Sequence, residues 1–429
     1  MPAPRDPDDG RRTAEWVARS CYGRLLALLA SRSRDIAGAE DALASALATA
    51  LERWPEHGVP QNPEAWLLTV ARRTIGDGRR RQRVRHDAEA SVRVMEEGLA
   101  AARAEARTRS IPDARLALMF VCAHPAIDAA VRTPLMLQTV LGIDSARIAA
   151  AFVVAPAAMA QRLVRAKTKI RDAAIRFALP DLPDLPERLD AVLDAVYAAY
   201  GVGWDGGDGA SDRRQALAGE AIHLSEVLTA LLPNQPEVRG LLALLLHCEA
   251  RRGARRSPNQ RFVPLHEQST DFWSRDLIRR AEQELRLAAQ HHRPGRFQLE
   301  AAIQSAHVQS ALTGDDTRAA IALLYDRLVG LTGSVGARVA RAAAHGRAFG
   351  PSVGLGLLDA IDPATGDAYQ PYWATRAHLL DNSGRRPEAA LAYTAAAGLA
   401  GDPGLRTWLL ERRDAALGAG ESGERLMMR

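Results

Sequence analysis

Lysine is almost missing from this chain. Of 56 basic residues only Lys167 and Lys169 are lysines, so cationic surface has to be read from where arginine sits and not from how much there is. Cysteine is equally sparse: Cys21, Cys122 and Cys248 stand roughly a hundred residues apart, which gives neither a disulfide framework nor a close-set zinc knuckle. No run of about 18 uncharged apolar residues occurs, and the opening MPAPRDPDDGRR has no apolar stretch of signal-peptide length. A cytoplasmic protein with no membrane partner is expected. HExxH, nucleophile-elbow, Walker A and paired-acid arrangements are also missing, and the Gly-rich stretch from Gly201 to Asp212 lacks the spacing of a phosphate loop. That stretch reads as a flexible connection. Neither an enzyme nor a metal or cofactor protein is expected.

What is present is ordinary globular material, 47% apolar and 25% charged over 429 residues, enough for two to four domains. Charge is uneven along it. Through Arg176 there are 28 basic residues against 20 acidic, and beyond it 28 against 31, so the front half is the part suited to a polyanion. Apolar residues recur at helical spacing with Pro and Gly between the stretches, and no long alternating Val/Ile/Thr run occurs. The fold class is all-α.

Residues 1–83 hold three candidate helices, near Ala14 to Ala30, Asp35 to Trp54 and Pro63 to Arg81, the last opening with Asn62 as N-cap and Pro63 in its first turn. Residues 84–110, rich in Ala, Arg and Glu, form a linker. Residues 111–179 hold several short helices, and a Pro-punctuated hinge, ALPDLPDLPERL, leads into a helical-repeat region over 187–429. Near its end Ala389 and Ala396 allow close helix approach, with Leu391 and Tyr393 filling the gaps, in the manner of a tetratricopeptide unit. Helix pairs of similar length are expected from Thr317 to Leu331 with Val335 to Ala348, and from Ser352 to Ile361 with Tyr369 to Ser383.

Two basic stretches carry chemistry. From Ile143 to Arg171 the pattern is helix, turn, helix: Ile148, Ala149 and Phe152 face inward, Val153 to Ala155 turn, and Pro156 opens a second helix. Met159, Leu163, Ala166 and Ile170 make its buried stripe. The other face carries Ala158, Gln161, Arg162, Arg165, Lys169 and Asp172. Gln161 and Arg162 fall where a recognition helix meets base edges, while Arg165, Lys167, Lys169 and Arg171 suit phosphates. A solvated basic helix in an ordinary bundle fits the pattern equally well. The second stretch, Ala71 to Arg85, has seven arginines, including Arg72, Arg73, Arg79, Arg80 and Arg81, against Asp77 alone. It continues the helix begun at Pro63, whose inner side is Trp66, Leu67, Val70 and Thr74, until Gly76 and Gly78 loosen or end it. Such an end holds a phosphate backbone in a salt-dependent way, although a charge run of this kind is more often simply solvated.

The strings AEDALASALATALERWP, NPEAWLLTVARR, IPDARLALMFVCAHPAI and MAQRLVRAKTKIRDA, with LPERLDAVL and PEVRGLLALLLHCEARR further on, resemble the sigma-70 family, in particular extracytoplasmic-function sigma factors with a long tetratricopeptide-like C-terminal extension. The resemblance implies that Glu40, Asp41, Leu43 and Arg53 dock on core RNA polymerase. It also implies that His57, Gln61 and the arginines from Arg72 to Arg81 hold the melted minus-10 strand, and that the second block reads the minus-35 element of promoter DNA. A regulatory protein on the extension is a further implied partner. The chain departs from that pattern at Ala44-Ser45, at Gly76 and Gly78, and at Val121-Cys122-Ala123-His124-Pro125, where relatives carry a cysteine pair; His124 is expected to cap or pack. Trp54, Trp66, Trp273, Trp373 and Trp408 are expected in the core rather than as stacking platforms. Tyr369, Tyr372, Trp373 and Arg376 either line a peptide-binding face or pack between helices. Two other readings stay open: a helix-turn-helix regulator acting without polymerase, and a helical-repeat adaptor without promoter function.

Overall fold

Helix starts are closed by the side chains that the sequence places there. The Asn62 carboxamide oxygen accepts from the Ala65 amide at 3.0 Å, with Pro63 as the first helical residue. Asp113, Asp128, Ser274 and Ser334 cap other helices in the same way. The computed structural model describes residues 7–84, 113–152, 154–177, 180, 184–204, 211–362 and 366–427. The expected linker over 84–110 lies outside the described residues except for Val84, as does the middle of the Gly-rich connection. Among the described residues there is no strand, only one isolated antiparallel bridge between Arg256 and Phe262, and the all-α expectation holds.

The chain divides into two units, one of residues 1–204 with 212–227 and one of 205–211 with 228–429. In the first, α1 (Pro7–Ser20), α2 (Tyr22–Ser33), α3 (Ile36–His57) and α4 (Pro63–Val84) pack together. The helix expected near Ala14 to Ala30 is two helices that meet at Cys21. In α3 the residues Ile36, Ala39, Leu43, Ala46, Ala50 and Trp54 recur every three or four positions and are buried. The small ones admit α1 and α4 closely, and Trp54 meets Trp66 edge-on with ring centres 5.5 Å apart. Helix α4 runs through Gly76 and Gly78 to Val84, contrary to the expected break. Each glycine costs only about 1 kcal/mol, and the surrounding arginines and glutamine are good helix formers.

The second lobe of this unit comprises α5 (Ala114–Cys122), α6 (Ala129–Thr139), α7 (Ser145–Ala151) and α8 (Pro156–Asp172), with α9 (Leu185–Trp204) against α5 and α6. Residues 187–204 and 212–227 pack with the first unit. Arg115, almost fully buried, shows why: its guanidinium bonds Asp113 and pairs with Glu220 of α10 (Ser211–Leu231), while Arg132 of α6 reaches Glu187 of α9 at 2.8 Å. His124 caps as expected, accepting from the Ala126 amide at 3.1 Å.

Burial pushes the Asp113 carboxyl up, but the Arg115 side-chain and backbone hydrogen bonds and the Arg115 charge outweigh it and hold the group below its ordinary range. A carboxyl so depressed adds stability above its unfolded value of about 3.9 and loses it as pH falls through the lower folded value. Asp113→Asn keeps an acceptor at the helix start but not the charge. It is expected to cost about 1 kcal/mol at pH 7, with the gap from the parent closing toward pH 3 in urea titrations.

The second unit stacks α11 (Pro236–Ala250), α12 (Arg275–Ala289), α13 (Arg296–Thr313), α14 (Arg318–Thr332), α15 (Val335–Phe349), α16 (Pro351–Asp359), α17 (Gln370–Asn382), α18 (Arg386–Leu399) and α19 (Pro403–Met427), largely neighbour on neighbour. The expected helix pairs are there within a few residues of their predicted ends. Ala389, Tyr393 and Ala396 are buried with Leu379, Leu380 and Leu409, but Leu391 is 74% exposed and fills no gap. It lies on the opposite side of α18 from Ala389, Tyr393 and Ala396. Tyr372 is buried, Trp373 donates to the Asp367 carbonyl at 3.1 Å, and Arg376 pairs with Asp359 at 2.6 Å, so this group is engaged in packing.

Candidate functional site

Helix α8 is built as the sequence predicts. Pro156 starts it, and Met159, Leu163, Ala166 and Ile170 are buried on one side. Gln161, Arg162, Arg165 and Lys169 are exposed on the other, with Ala158 half-buried at the start. Val164, 63% exposed between Gln161 and Arg165, adds an apolar group that the sequence reading overlooked; its place off the buried stripe was the available signal. In α7 Ile148 and Ala149 are buried, but Phe152 is 37% exposed, because it falls past the end of the helix, in the turn.

Lys167 is a correction. Expected to reach phosphate, it is buried at 8% exposure, and its ammonium donates to both carboxylate oxygens of Glu40, at 2.7 and 2.6 Å. Glu40 lies on α3, 127 positions earlier, and is itself one of the residues expected to face polymerase. The structure therefore joins one residue of each proposed surface in a single, largely desolvated ion pair. The two lobes also approach backbone to backbone, since a Cβ added to Gly23 of α2 would stand 1.7 Å from the Val140 carbonyl oxygen at the end of α6. Nearby, burial first and then the Glu40 and Asp41 charges push the Tyr22 phenol up.

The other α3 candidates divide. Asp41 and Arg53 are exposed, as are Ala44 and Ser45, whereas Leu43 is fully buried and cannot present its side chain to a partner. It belongs to the inner stripe of α3 instead. His57 and Gln61 are exposed at the α3–α4 turn, with His57 Nδ1 3.2 Å from the Arg53 carbonyl. Arg72 and Arg73 are exposed on α4. Arg79, Arg80 and Arg81 lie on the same helix, but their side chains are outside the described set. Thr74, expected inward, is exposed and bonds the Val70 carbonyl at 3.2 Å.

A cleft of about 280 Å3 between the lobes is lined by Tyr22, Arg24, Arg115, Gln138, Asp144 and Glu220 among others. Its arginines are neutralised in place, Arg24 by Glu64 and Arg115 by Asp113 and Glu220. Cys122 is fully buried, and burial pushes its thiol up to about 12. Among the described residues no group of three or more His, Cys, Asp and Glu side chains is placed to hold a metal. No helix among them is long and apolar enough to cross a membrane.

Residues 17–85 match the family model for sigma-70 region 2, and residues 188–289 match that of a family of unknown function, DUF6596. An uncharacterized protein of Rhizobium meliloti (strain 1021) is 36% identical over 373 residues, covering 86% of this chain and 87% of its own length. No solved structure matches the chain.

Proposed function

The chain belongs to one family with the uncharacterized Rhizobium meliloti protein and contains sigma-70 region 2 over residues 17–85, and from that premise we propose that it is a sigma-70 family member, an alternative sigma factor of the extracytoplasmic-function class. In this reading the first lobe docks on core RNA polymerase through Asp41, Arg53 and, once released, Glu40. His57, Gln61, Arg72, Arg73 and the arginines that follow hold the unwound minus-10 strand, which backbone charge and pocket contacts stabilise against the few kcal/mol lost on unstacking a base. Helix α8 enters the major groove at the minus-35 element, with Gln161, Arg162 and Val164 at base edges and Arg165 and Lys169 on phosphates. The remaining helices act as a built-in regulatory extension that receives a protein partner.

The observation that carries this reading is the exposed Gln161, Arg162, Arg165 and Lys169 face opposite the buried stripe of α8, in a chain that also contains sigma-70 region 2. Mixing the purified chain with core polymerase tests it. Co-elution followed by strand opening on a genomic fragment library is expected. Duplex binding without polymerase leaves the helix-turn-helix regulator, and partner binding without strand opening leaves the adaptor. Within the proposal, Arg162→Ala is expected to relax selection at the upstream element by about 1–3 kcal/mol. Lys169→Ala should weaken binding to all sequences and flatten its salt dependence. Equal effects from both, read in binding across a randomised minus-35 library, overturn the roles given to them.

A further inference from the structure

A lone exposed apolar side chain needs no explanation. Leu323, Leu331 and Phe349, at 63%, 57% and 54% exposure, are not alone, because they share one face of the second unit. Helices α14 and α15 run antiparallel through the short turn at Gly333 and Ser334, and bury Ile321, Ala322 and Leu328 against Ala337 and Ala344. On the outer side of α14, Leu323, Arg327 and Leu331 recur every four positions, and on α15 Arg338, Arg341, His345 and Phe349 follow at three, four and four.

Asp326 fastens these two stripes side by side. Its carboxylate accepts from Arg341 Nε at 2.6 Å and lies 3.1 Å from His345 Nε2. The His345 ring centre is in turn 5.3 Å from that of Phe349. Leu323 is one turn back from Asp326 and Phe349 one turn on from His345, so in an antiparallel pair both apolar groups fall at the same end of the face. Leu331 and Arg338 fall at the other end, with Arg327 between.

The charge of this face runs against its surroundings. Beyond Arg176 acidic residues outnumber basic ones by 31 to 28, yet from 318 to 349 five arginines stand against Asp326 alone, and Arg341 and His345 already occupy that carboxylate. Arg327 and Arg338 are exposed, and among the described residues no carboxylate pairs with either. Nucleic acid fits such a face poorly, because contact with phosphates alone leaves the leucines and Phe349 in water. Apolar and aromatic groups set among arginines are the composition of a protein-binding patch. The group at Tyr369, Tyr372, Trp373 and Arg376 is engaged in packing, so this is where the unit offers a face to a partner.

We propose that the α14–α15 face docks an acidic amphipathic helix of a partner protein. Leu323 and Leu331 are eight positions apart, about 12 Å along the axis, so the partner helix presents apolar residues at i and i+7 or i+8. Asp or Glu between them meets Arg327 and Arg338. That such a partner regulates the chain rests on reading the second unit as a regulatory extension, whereas the binding itself needs neither polymerase nor promoter.

Panning a random peptide library, displayed on phage, against the full chain tests the surface. Enrichment of acidic sequences with that apolar spacing is expected, and the leading sequence, synthesised with a fluorescent label, should bind the chain saturably by anisotropy. Leu323→Ser and Arg327→Glu, both at exposed positions, should each weaken that binding roughly tenfold or more. Leu391→Ser, on the bare side of α18, should leave it unchanged. No enrichment, enrichment of sequences without acidic residues, or equal affinity in the parent and either face variant overturns the proposal. So does self-association abolished by Leu323→Ser, which gives the face to a second copy, or duplex DNA binding lost in Arg327→Glu but kept in Leu323→Ser, which gives it to nucleic acid. Failure of strand opening with polymerase removes the sigma-factor reading instead and leaves the peptide result standing.

Discussion

Gly23→Ala is expected to lower the stability of the first unit by about 3 kcal/mol or more, a large value for adding one methyl group. The new Cβ would meet a backbone carbonyl oxygen at 1.7 Å, and a carbonyl at the end of a helix cannot swing aside as a side chain can. Either α2 moves away from the end of α6 or one of them distorts, and the buried residues of the two helices, Leu25 and Leu26 on one and Leu135 and Met136 on the other, lose packing in both cases. Gly76→Ala supplies the contrast. Gly76 sits in the exposed part of α4 with no atom within 4 Å of the added carbon, so replacing it stiffens the unfolded chain and should raise stability by about 0.5–1 kcal/mol. Because the chain has two units, urea unfolding should be read together with amide exchange in α2 and α6. A Gly23→Ala protein within about 0.5 kcal/mol of the parent would show that the two lobes do not pack as described.

That contact was not legible in the sequence, and the reason is physical. Periodicity reports which side of a helix is buried, and it located the inner residues of α8 correctly. It places Met159, Leu163, Ala166 and Ile170 on one stripe because a helical rise of 100° per residue leaves no other arrangement. Capping is equally local, so Asn62 and Pro63 marked the start of α4. What a buried stripe packs against is decided by residues far away in the chain. Gly23 reads as a weak spot in a helix until Val140 is beside it, and Lys167 reads as one more basic residue until Glu40 is found under it. Phe152 and Leu391 failed for a related reason, since a large apolar residue signals the core only if the neighbouring element covers it.

The Glu40–Lys167 pair gives the second large effect, and it separates a structural role from a functional one. Both side chains are largely desolvated, at 20% and 9% exposure, so removing either partner strands the other charge and is expected to cost about 3–5 kcal/mol. Glu40→Gln and Lys167→Met should therefore destabilise the first unit to a similar degree. The double variant should recover much of the loss, because no unpaired charge remains. Polymerase binding should not follow that symmetry. If Glu40 is a docking residue held back by Lys167, the fraction of chains able to dock is set by how often the pair opens. Lys167→Met then raises affinity for core polymerase by roughly tenfold, for a closed population held back by about 1.4 kcal/mol. Glu40→Gln lowers it although its stability loss is the same. Opposite signs in binding from equal losses in stability cannot come from unfolding alone. Weaker core binding by both single variants would make the pair a structural clasp only, and would return Glu40 to the interior of the fold.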